Sequence, residues 1–160
     1  MSTMKAVIYE KGGPQVLKIE SRPIPTPQNG EVFIHVKAFG LNRSEMLTLQ
    51  GHSPTVKFPR ILGIEASGLV EACPGSEFPN GTTVATCMGG MEINFDEGCA
   101  GYTCVPAKNA QVIKTELPWE TIVAIPKTLY FLPYIRNKER QKCCSLILFW
   151  KGNTFHKRLI

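Results

Sequence analysis

Short strand-like runs separated by glycine and proline constrain the fold of this chain more than any other feature. In EVFIHVKAFG, residues 31–40, small or branched apolar residues occupy every second position, which is typical of a strand with one face in the core. Similar runs follow at ASGLVEA, TTVATC and YTCVP, each bounded by Gly or Pro. The sequence therefore predicts a mainly β domain, a small turn-rich barrel or sandwich rather than a βαβ array.

Proline and glycine also define the first part of the chain. Two strand-like runs flank Gly12-Gly13-Pro14 in KAVIYEKGGPQVLKIES, which indicates a hairpin. The next segment, RPIPTPQNG, carries prolines at every second position. Because these prolines donate no backbone hydrogen bond, we expect neither a helix nor a central strand there.

Two short helices are predicted between the strands. In NRSEMLTLQG, Asn42 stands three residues before Glu45, as in a capping box, and Gly51 marks the end of the helix. In LPWETIVAI, Pro118 lies near the helix start and acidic residues surround the first turn, where the helix dipole favours them.

Composition divides the chain near Pro126. Residues 1–126 have a net charge of −2 and contain all 9 Ala and 10 Val, whereas residues 127–160 carry +7 and contain neither residue type. The overall charge of +5 therefore belongs to the tail and gives no reason to expect nucleic-acid binding. We predict one domain at 1–126 and an unmatched basic, aromatic tail at 127–160.

Cysteine spacing and hydropathy indicate the compartment. The six cysteines include no CxxC pair, and the start of the chain has no continuous apolar segment typical of a secretion signal. No run approaches the roughly 20 apolar residues that span a bilayer. We expect reduced thiols, no transmembrane segment and a cytoplasmic protein.

The order of these motifs is similar to that of a known family. MKAVIYEKGGPQVLKIESRPIPTPQNGEVFIHVKAFGLNRSE, then FPRILGIEASGLVEACPG, GTTVAT and YTCVPAKNAQVI, strongly resemble the N-terminal GroES-like catalytic domain of medium-chain dehydrogenases/reductases. The resemblance spans roughly residues 4–126 and implies a GroES-like β-barrel.

Two positions favour the zinc-independent, quinone oxidoreductase-like branch. Where zinc-dependent relatives carry a Cys and a His ligand, this chain has Asn42 and Ile64, which cannot replace a thiolate and an imidazole at zinc. The segment CMGGMEINFDEGC has only Cys87 and Cys99 where a structural zinc lobe needs four cysteines. We therefore expect no bound metal.

The resemblance places the candidate site residues in the cleft between catalytic and cofactor domains. It implies that Asn42, Arg43 and Ile64 line the cofactor site and that the Asn42 amide donates a hydrogen bond to the enolate oxygen during hydride transfer. The alternative role of Asn42 is the helix cap. Glu65, an acid inside an apolar run, is expected to be a structural cleft acid that accepts hydrogen bonds from backbone N–H groups or from Arg43, because an unpaired buried carboxylate is costly.

The same resemblance implies that this chain lacks several features of its relatives. Cys99 and Gly101, in CAGY, replace a ring and a carboxylate that relatives use in barrel packing. After Pro126 the 34 residues contain no GxGxxG turn and allow no doubly wound Rossmann sheet. We expect this Rossmann domain, NADPH binding by this chain and the family-type homodimer to be lost.

Two functions therefore stay open. The first is an NADPH-dependent reductase of small conjugated carbonyls or quinones, inactive as the present chain. The second is a non-enzymatic GroES-like remnant or binding module.

The tail has two interpretations as well. Its composition is that of a translated intron or shifted frame, whereas the basic run RNKERQK before the apolar CCSLILFW is that of a membrane-surface module. We expect it to pack poorly or to be disordered.

Overall fold

The protein is mainly β, as the sequence predicts. The computed structural model describes residues 2–89, 96, 98–126, 146–151 and 154–159. Within them the elements are β1 (Thr3–Tyr9), β2 (Lys18–Pro23), β3 (Glu31–Leu41), α1 (Arg43–Leu49), β4 (Arg60–Ile61), β5 (Glu65–Ala72), β6 (Thr83–Cys87), β7 (Tyr102–Pro106), β8 (Ala110–Val112), α2 (Trp119–Ile122), β9 (Leu146–Lys151) and β10 (Thr154–Leu159).

A small antiparallel sheet has the order β2-β1-β4. The predicted hairpin is confirmed, because β1 pairs with β2 from Thr3 opposite Pro23 to Ile8 opposite Lys18. Strand β2 lies at the edge of this sheet, where a proline at the end of a strand removes no needed ladder hydrogen bond. The proline-rich segment, residues 22–30, therefore contributes only the last two residues of an edge strand, and it forms neither a helix nor a central strand, as expected.

The larger sheet is built around β3. Its order is β10-β9-β3-β5-β6-β8, and β7 also pairs with β3. Strand β5 runs antiparallel to β3 from Phe33 to Phe39. On the opposite edge β7 pairs with the first half of β3, from Glu31 to His35, and β9 pairs with its last four residues. Long β3 thus links most strands of the domain.

Part of the tail belongs to this sheet. Strands β9 and β10 form an antiparallel hairpin, and β9 pairs with β3 from Ala38 to Leu41. The expectation of a poorly packed or disordered tail is therefore wrong for residues 146–151 and 154–159. The edge of β3 beyond β7 offers backbone donors and acceptors that another strand can pair with, and LILFW has high strand propensity. The basic run RNKERQK lies outside the described residues.

Most of the buried apolar residues of β3 belong to two apolar clusters. Val32 and Ile34 pack with Val70, Val84 and Val105 between β3, β5, β6 and β7. The next inward residues of β3 join a second cluster, whose buried members are Met4, Ala6, Ile8, Tyr9, Val36, Phe39, Leu49, Val56, Ile61, Leu62, Ala66, Cys99 and Ala100. The barrel interior is therefore filled by two adjoining apolar groups.

Phe39 departs from the predicted alternation. The pattern places it on the outward face of β3, yet it is buried. A register shift between Val36 and Ala38 changes the alternation at that point, as bulges do. Both faces of the end of β3 are consequently buried, and Ala38 packs against Val123 of the segment after α2.

Cys99 is fully buried in the second cluster, and its Sγ lies 3.9 Å from the Tyr9 hydroxyl. The loss of barrel packing expected at this position stays a prediction.

Both predicted helices are present and short. α1 begins after Asn42, and its C-terminal cap at Gln50 leads into Gly51, which has a positive φ of 88°. α2 begins directly after Pro118 and has Glu120 in its first turn. No helix in the described part of the chain is long and apolar enough to cross a membrane.

Candidate functional site

The start of α1 brings a buried carboxylate back to the end of β3. Asn42 keeps an extended backbone and is the N-cap of α1, and a capping box joins it to Glu45. The Asn42 backbone N–H donates to Glu45 Oε2 at 3.0 Å. The capping role predicted for Asn42 is confirmed.

Glu45 also forms a hydrogen bond that links the start of α1 to the segment before β5. Its Oε1 accepts a hydrogen bond from the Ile64 backbone N–H at 3.0 Å, and the residue is only 2% exposed. Sequence reasoning assigned Glu45 a capping role alone. Its contact with Ile64 depends on how the chain folds back after α1, so no local sequence signal indicates it.

Glu65 meets Asn42. The Asn42 side-chain Nδ2 donates to Glu65 Oε1 at 3.0 Å, and Glu65 is 3% exposed. Arg43, the cationic partner considered from the sequence, lies exposed on α1, and in the described part of the chain the Glu65 carboxylate contacts the Asn42 amide instead. The paired, buried state expected for Glu65 is therefore present, with an amide as partner.

Gly40 provides the space for this carboxylate. A Cβ placed on Gly40 would lie 2.1 Å from Glu65 Oε1 and 2.8 Å from its carboxyl carbon, distances at which atoms overlap. Glycine is required there because the Glu65 side chain crosses directly over the β3 backbone. Sequence reasoning missed this residue, since close approach between two strands is a property of the folded sheet.

Asn42, Glu45 and Glu65 together form what we call the acid–amide cluster. The Asn42 Nδ2 lies 3.0 Å from Glu65 Oε1 and 3.4 Å from Glu45 Oε1. An amide nitrogen carries two hydrogens, and here each is directed at a carboxylate. One neutral side chain thus bridges two buried acids from α1 and β5.

Burial sets the protonation of the cluster. Desolvation raises the pKa of Glu45 from 4.5 to about 7, against the opposing effect of hydrogen bonds from Asn42 and Ile64, and the nearby Glu65 adds a smaller increase. Burial also raises the pKa of Tyr9, followed by the effects of Cys99 and Glu45. Near neutral pH the cluster therefore exchanges a proton at Glu45, while Tyr9 stays a neutral phenol.

Of the residues expected at the cofactor site, the structure places Asn42 and Ile64 in or beside the cluster. The Ile64 side chain is buried and only its backbone N–H takes part. Arg43 is adjacent in sequence but its side chain faces solvent. The cofactor and catalytic roles of these three residues stay predictions.

The donor set does not fit zinc. Asn42 and Ile64 provide an amide and an alkyl chain, and tetrahedral zinc sites are built from thiolates, imidazoles and carboxylates. Across the described ranges no group of three or more His, Cys, Asp and Glu side chains is arranged to hold a metal ion. The segment between Gly89 and Asp96 lies outside them.

A separate cavity of about 460 Å³ lies near the end of the first 126 residues, and it is lined by Ala85, Cys87, Gly89, Lys108, Asn109, Gln111, Ile113, Ile125 and Pro126. None of the three cluster residues lines it. The acid–amide cluster is therefore a buried polar centre rather than the wall of this cavity.

A protein-family model described as the alcohol dehydrogenase GroES-like domain matches residues 28–118. The starvation-sensing protein RspB of Escherichia coli is 32% identical over 67% of this chain and 38% of its own length. The zinc-type alcohol dehydrogenase-like protein C337.11 of Schizosaccharomyces pombe is 29% identical over 92% of this chain and 46% of its own length. The chain spans less than half the length of these two relatives.

Solved structures show the same relationship. A mycobacterial protein complexed with NADPH superimposes with a TM-score of 0.71 at 26% identity, over 87% of this chain and 42% of that one. The quinone oxidoreductase from Coxiella burnetii gives a TM-score of 0.74 at 23% identity, over 86% of this chain and 47% of that one, which supports the fold alone.

Proposed function

The chain belongs to the alcohol dehydrogenase GroES-like domain family of the medium-chain dehydrogenases/reductases, and from this we propose that residues 1–126 are the catalytic-domain part of a zinc-independent oxidoreductase. The proposed reaction is hydride transfer from NADPH to a quinone or a small conjugated carbonyl compound. Similarity to a structure complexed with NADPH supports the cofactor class.

The observation that carries this proposal is the chemistry of the acid–amide cluster. Two buried carboxylates normally need a cation nearby. Here the Asn42 amide donates to both, the Ile64 N–H donates to Glu45, and burial shifts the Glu45 pKa to about 7 so that this acid is partly neutral. Hydrogen bonds and a proton on Glu45 therefore offset the negative charge of the two buried acids. The side chains of the cluster do not form a set of ligands suited to zinc.

NADPH, when bound, supplies the hydride. Of the chain's own groups, the exposed Arg43 guanidinium suits contact with an anionic cofactor, whereas the buried Ile64 side chain suits only a supporting role behind the cleft. We propose that the Arg43 guanidinium binds the anionic cofactor. We propose that the Ile64 backbone N–H holds the Glu45 carboxyl group in position.

The proposed role of Asn42 follows from its two contacts. The hydrogen bond to Glu65 has an ordinary length of 3.0 Å, whereas the contact with Glu45 is 3.4 Å and correspondingly weaker. A substrate oxygen can replace Glu45 as the acceptor of one Asn42 amide hydrogen more easily than it can replace Glu65. The replacement is easiest when Glu45 is protonated, because a neutral carboxyl group is a weaker acceptor. Asn42 thus holds Glu65 with one hydrogen and stabilises the developing enolate with the other.

The second candidate is a binding module without enzymatic activity. Strand β9 favours this candidate, because it pairs with Ala38–Leu41 and so adds tail residues to the sheet that contains β3. The sequence of residues 127–160 has no glycine-rich phosphate-binding turn, and holding the nicotinamide near its acceptor supplies about 7–11 kcal/mol of barrier lowering in reactions of this kind. We propose that the 160-residue chain by itself does not catalyse reduction of a quinone or conjugated carbonyl compound by NADPH.

The test uses the chain and a hybrid in which a relative's Rossmann domain follows Pro126. NADPH binding is titrated by fluorescence, and turnover is followed with 9,10-phenanthrenequinone. We expect no multiple turnovers from the chain alone and measurable activity from the hybrid. Multiple turnovers by the chain alone, with micromolar NADPH binding, would overturn the proposed inactivity.

Variants of the hybrid test the role of Asn42. We expect Asn42→Ala to lower kcat by roughly 100-fold or more, the contribution of one donor to an oxyanion, and the exposed Asn80→Ala to leave kcat unchanged. A hybrid that folds and keeps full kcat with Asn42→Ala would exclude the catalytic role.

A further inference from the structure

Strand β2 lies at the edge of the small sheet, and in the described part of the chain it pairs with β1 alone. Its outer edge therefore offers backbone donors and acceptors to another strand. Two apolar residues lie at this edge. Leu17, which precedes β2 with an extended backbone, is 38% exposed, and Ile19 is 58% exposed, more than any other large apolar residue in the described ranges.

The two faces of β2 differ in character. Ile19 stands opposite Val7 of β1, which is half-buried. Because side chains alternate along a strand, Leu17 lies on the same face as Ile19, whereas Lys18 and Glu20 lie on the other face. The edge thus has an apolar face and a face that carries both signs of charge.

The order of these side chains is complementary to itself. When two β2 strands run antiparallel with Ile19 of one chain opposite Ile19 of a second copy, Lys18 of each chain lies opposite Glu20 of the other. Leu17 then lies opposite Ser21. Cross-strand apolar pairs and opposite-charge pairs both stabilise a sheet, and like charges directly opposite destabilise it. Centring the pair on Lys18 or on Glu20 instead places two like charges opposite each other, so the order of residues favours the Ile19-centred register.

The ion pairs that these charges form within the chain are weak. Lys18 Nζ lies 3.4 Å from Glu10 Oε1, and Arg22 Nη2 lies 3.0 Å from Glu20 Oε2. All four side chains are at least 37% exposed, and exposed ion pairs contribute little to stability. Lys18 and Glu20 can therefore exchange these partners for charges on a second chain at little cost.

We propose that β2 is the docking edge for a second copy of this chain. The two small sheets join through their β2 strands into one continuous sheet, with a two-fold axis at Ile19, so both copies use the same surface. The contact is confined to residues 17–21 of each chain. An interface of this size belongs to the weak, transient class, and the dimer forms only as the protein concentration rises. The surface is independent of the acid–amide cluster and of the proposed function.

Sedimentation velocity of the full 160-residue chain, over a roughly hundredfold range of concentration, tests the proposal. We expect a reversible equilibrium between monomer and dimer. Ile19→Lys places two ammonium groups opposite each other at the two-fold axis and weakens dimerisation by roughly tenfold or more. Leu117→Lys makes the same change at another exposed apolar residue, 48% exposed and outside β2, and leaves dimerisation unchanged. A chain that stays monomeric throughout, or equal effects of the two variants, overturns the proposal.

A charge exchange tests the register. Lys18→Glu and Glu20→Lys each place like charges opposite each other in both cross-chain pairs, and each weakens dimerisation by roughly three- to tenfold. The double variant places opposite charges together again and recovers wild-type association within about twofold. Its net charge equals that of the wild type, so recovery reflects pairing and not overall charge. Thermal unfolding checks that all variants keep the fold. A folded double variant that associates as weakly as the single variants contradicts the Ile19-centred register.

Discussion

The acid–amide cluster differs from two other buried polar groups, Arg22 Nε on β2 and Thr103 Oγ1 on β7, in the hydrogen bonds that the fold provides. In the cluster, Asn42 and Ile64 donate hydrogen bonds to Glu45 and Glu65. In the described part of the chain, Arg22 Nε and Thr103 Oγ1 are buried with no hydrogen-bond partner. Buried polar atoms are therefore compensated to different degrees in these two regions.

This comparison predicts that changes in the cluster are destabilising and that removal of the unpartnered Thr103 hydroxyl is not. The largest effect is expected for Gly40→Ala, since the added Cβ overlaps the Glu65 carboxyl group. We expect a loss of about 3 kcal/mol or more in the free energy of unfolding, measured by urea titration. Gly101→Ala is the control, because its Cβ would meet nothing closer than 3.8 Å. Equal losses for both variants would contradict the packing of Glu65 on Gly40.

The next effect is a pH dependence of stability that belongs to Glu45. Its pKa is raised in the folded state from 4.5 to about 7, so the folded chain holds a proton that the unfolded chain releases. The contribution is full below about pH 4.5 and is lost as the pH rises to about 7, with a total of about 3 kcal/mol.

Glu45→Gln should remove this decrease, whereas the exposed Glu116→Gln should retain it. Urea unfolding between pH 4 and 8 gives the measurement. A wild-type stability that rises steadily across this window, with the same slope in Glu45→Gln, would count against the raised pKa.

Removal of the bridging Asn42 amide should also lower the free energy of unfolding. Asn42→Ala takes hydrogen bonds from two buried carboxylates, and we expect a loss of about 2 kcal/mol in the free energy of unfolding. Asn80→Ala, at an exposed position, should change it by less than about 0.5 kcal/mol. Similar values for the two variants would show that the cluster does not depend on Asn42.

The smallest effect compares two buried threonines. Thr48 Oγ1 lies 2.8 Å from Ser53 Oγ, whereas Thr103 Oγ1 has no partner. We expect Thr48→Val to cost about 1 kcal/mol and Thr103→Val to be neutral or slightly stabilising, because it removes an unpaired buried hydroxyl. Thermal unfolding of the two variants side by side checks the difference, and a reversed order would break the contrast between the two regions.

Local signals predicted much of the fold. The alternation in residues 31–40 identified β3, the Asn42–Glu45 spacing identified the start of α1, and Pro118 identified the start of α2. Each depends on neighbours within a few positions, which the sequence displays directly.

What the sequence did not predict depends on distant pairing. The register shift in β3 buries Phe39 against the alternation, and the pairing of β9 with β3 places part of the tail in the sheet. For Glu65 the sequence predicted backbone N–H groups or Arg43 as partners. The hydrogen bond from Asn42 depends on the register that brings the end of β3 beside the start of β5.

The central claim is that Asn42 bridges two buried acids, one of which holds its proton near neutral pH. The direct measurement is an NMR titration of the Glu45 side-chain carboxyl carbon in the 160-residue chain and in Asn42→Ala. The account predicts a midpoint near 7 and a higher midpoint in the variant, since the Asn42 side-chain hydrogen bond that the variant loses lowers the pKa of Glu45. A midpoint near the ordinary 4.5, or one that the variant leaves unchanged, would contradict it.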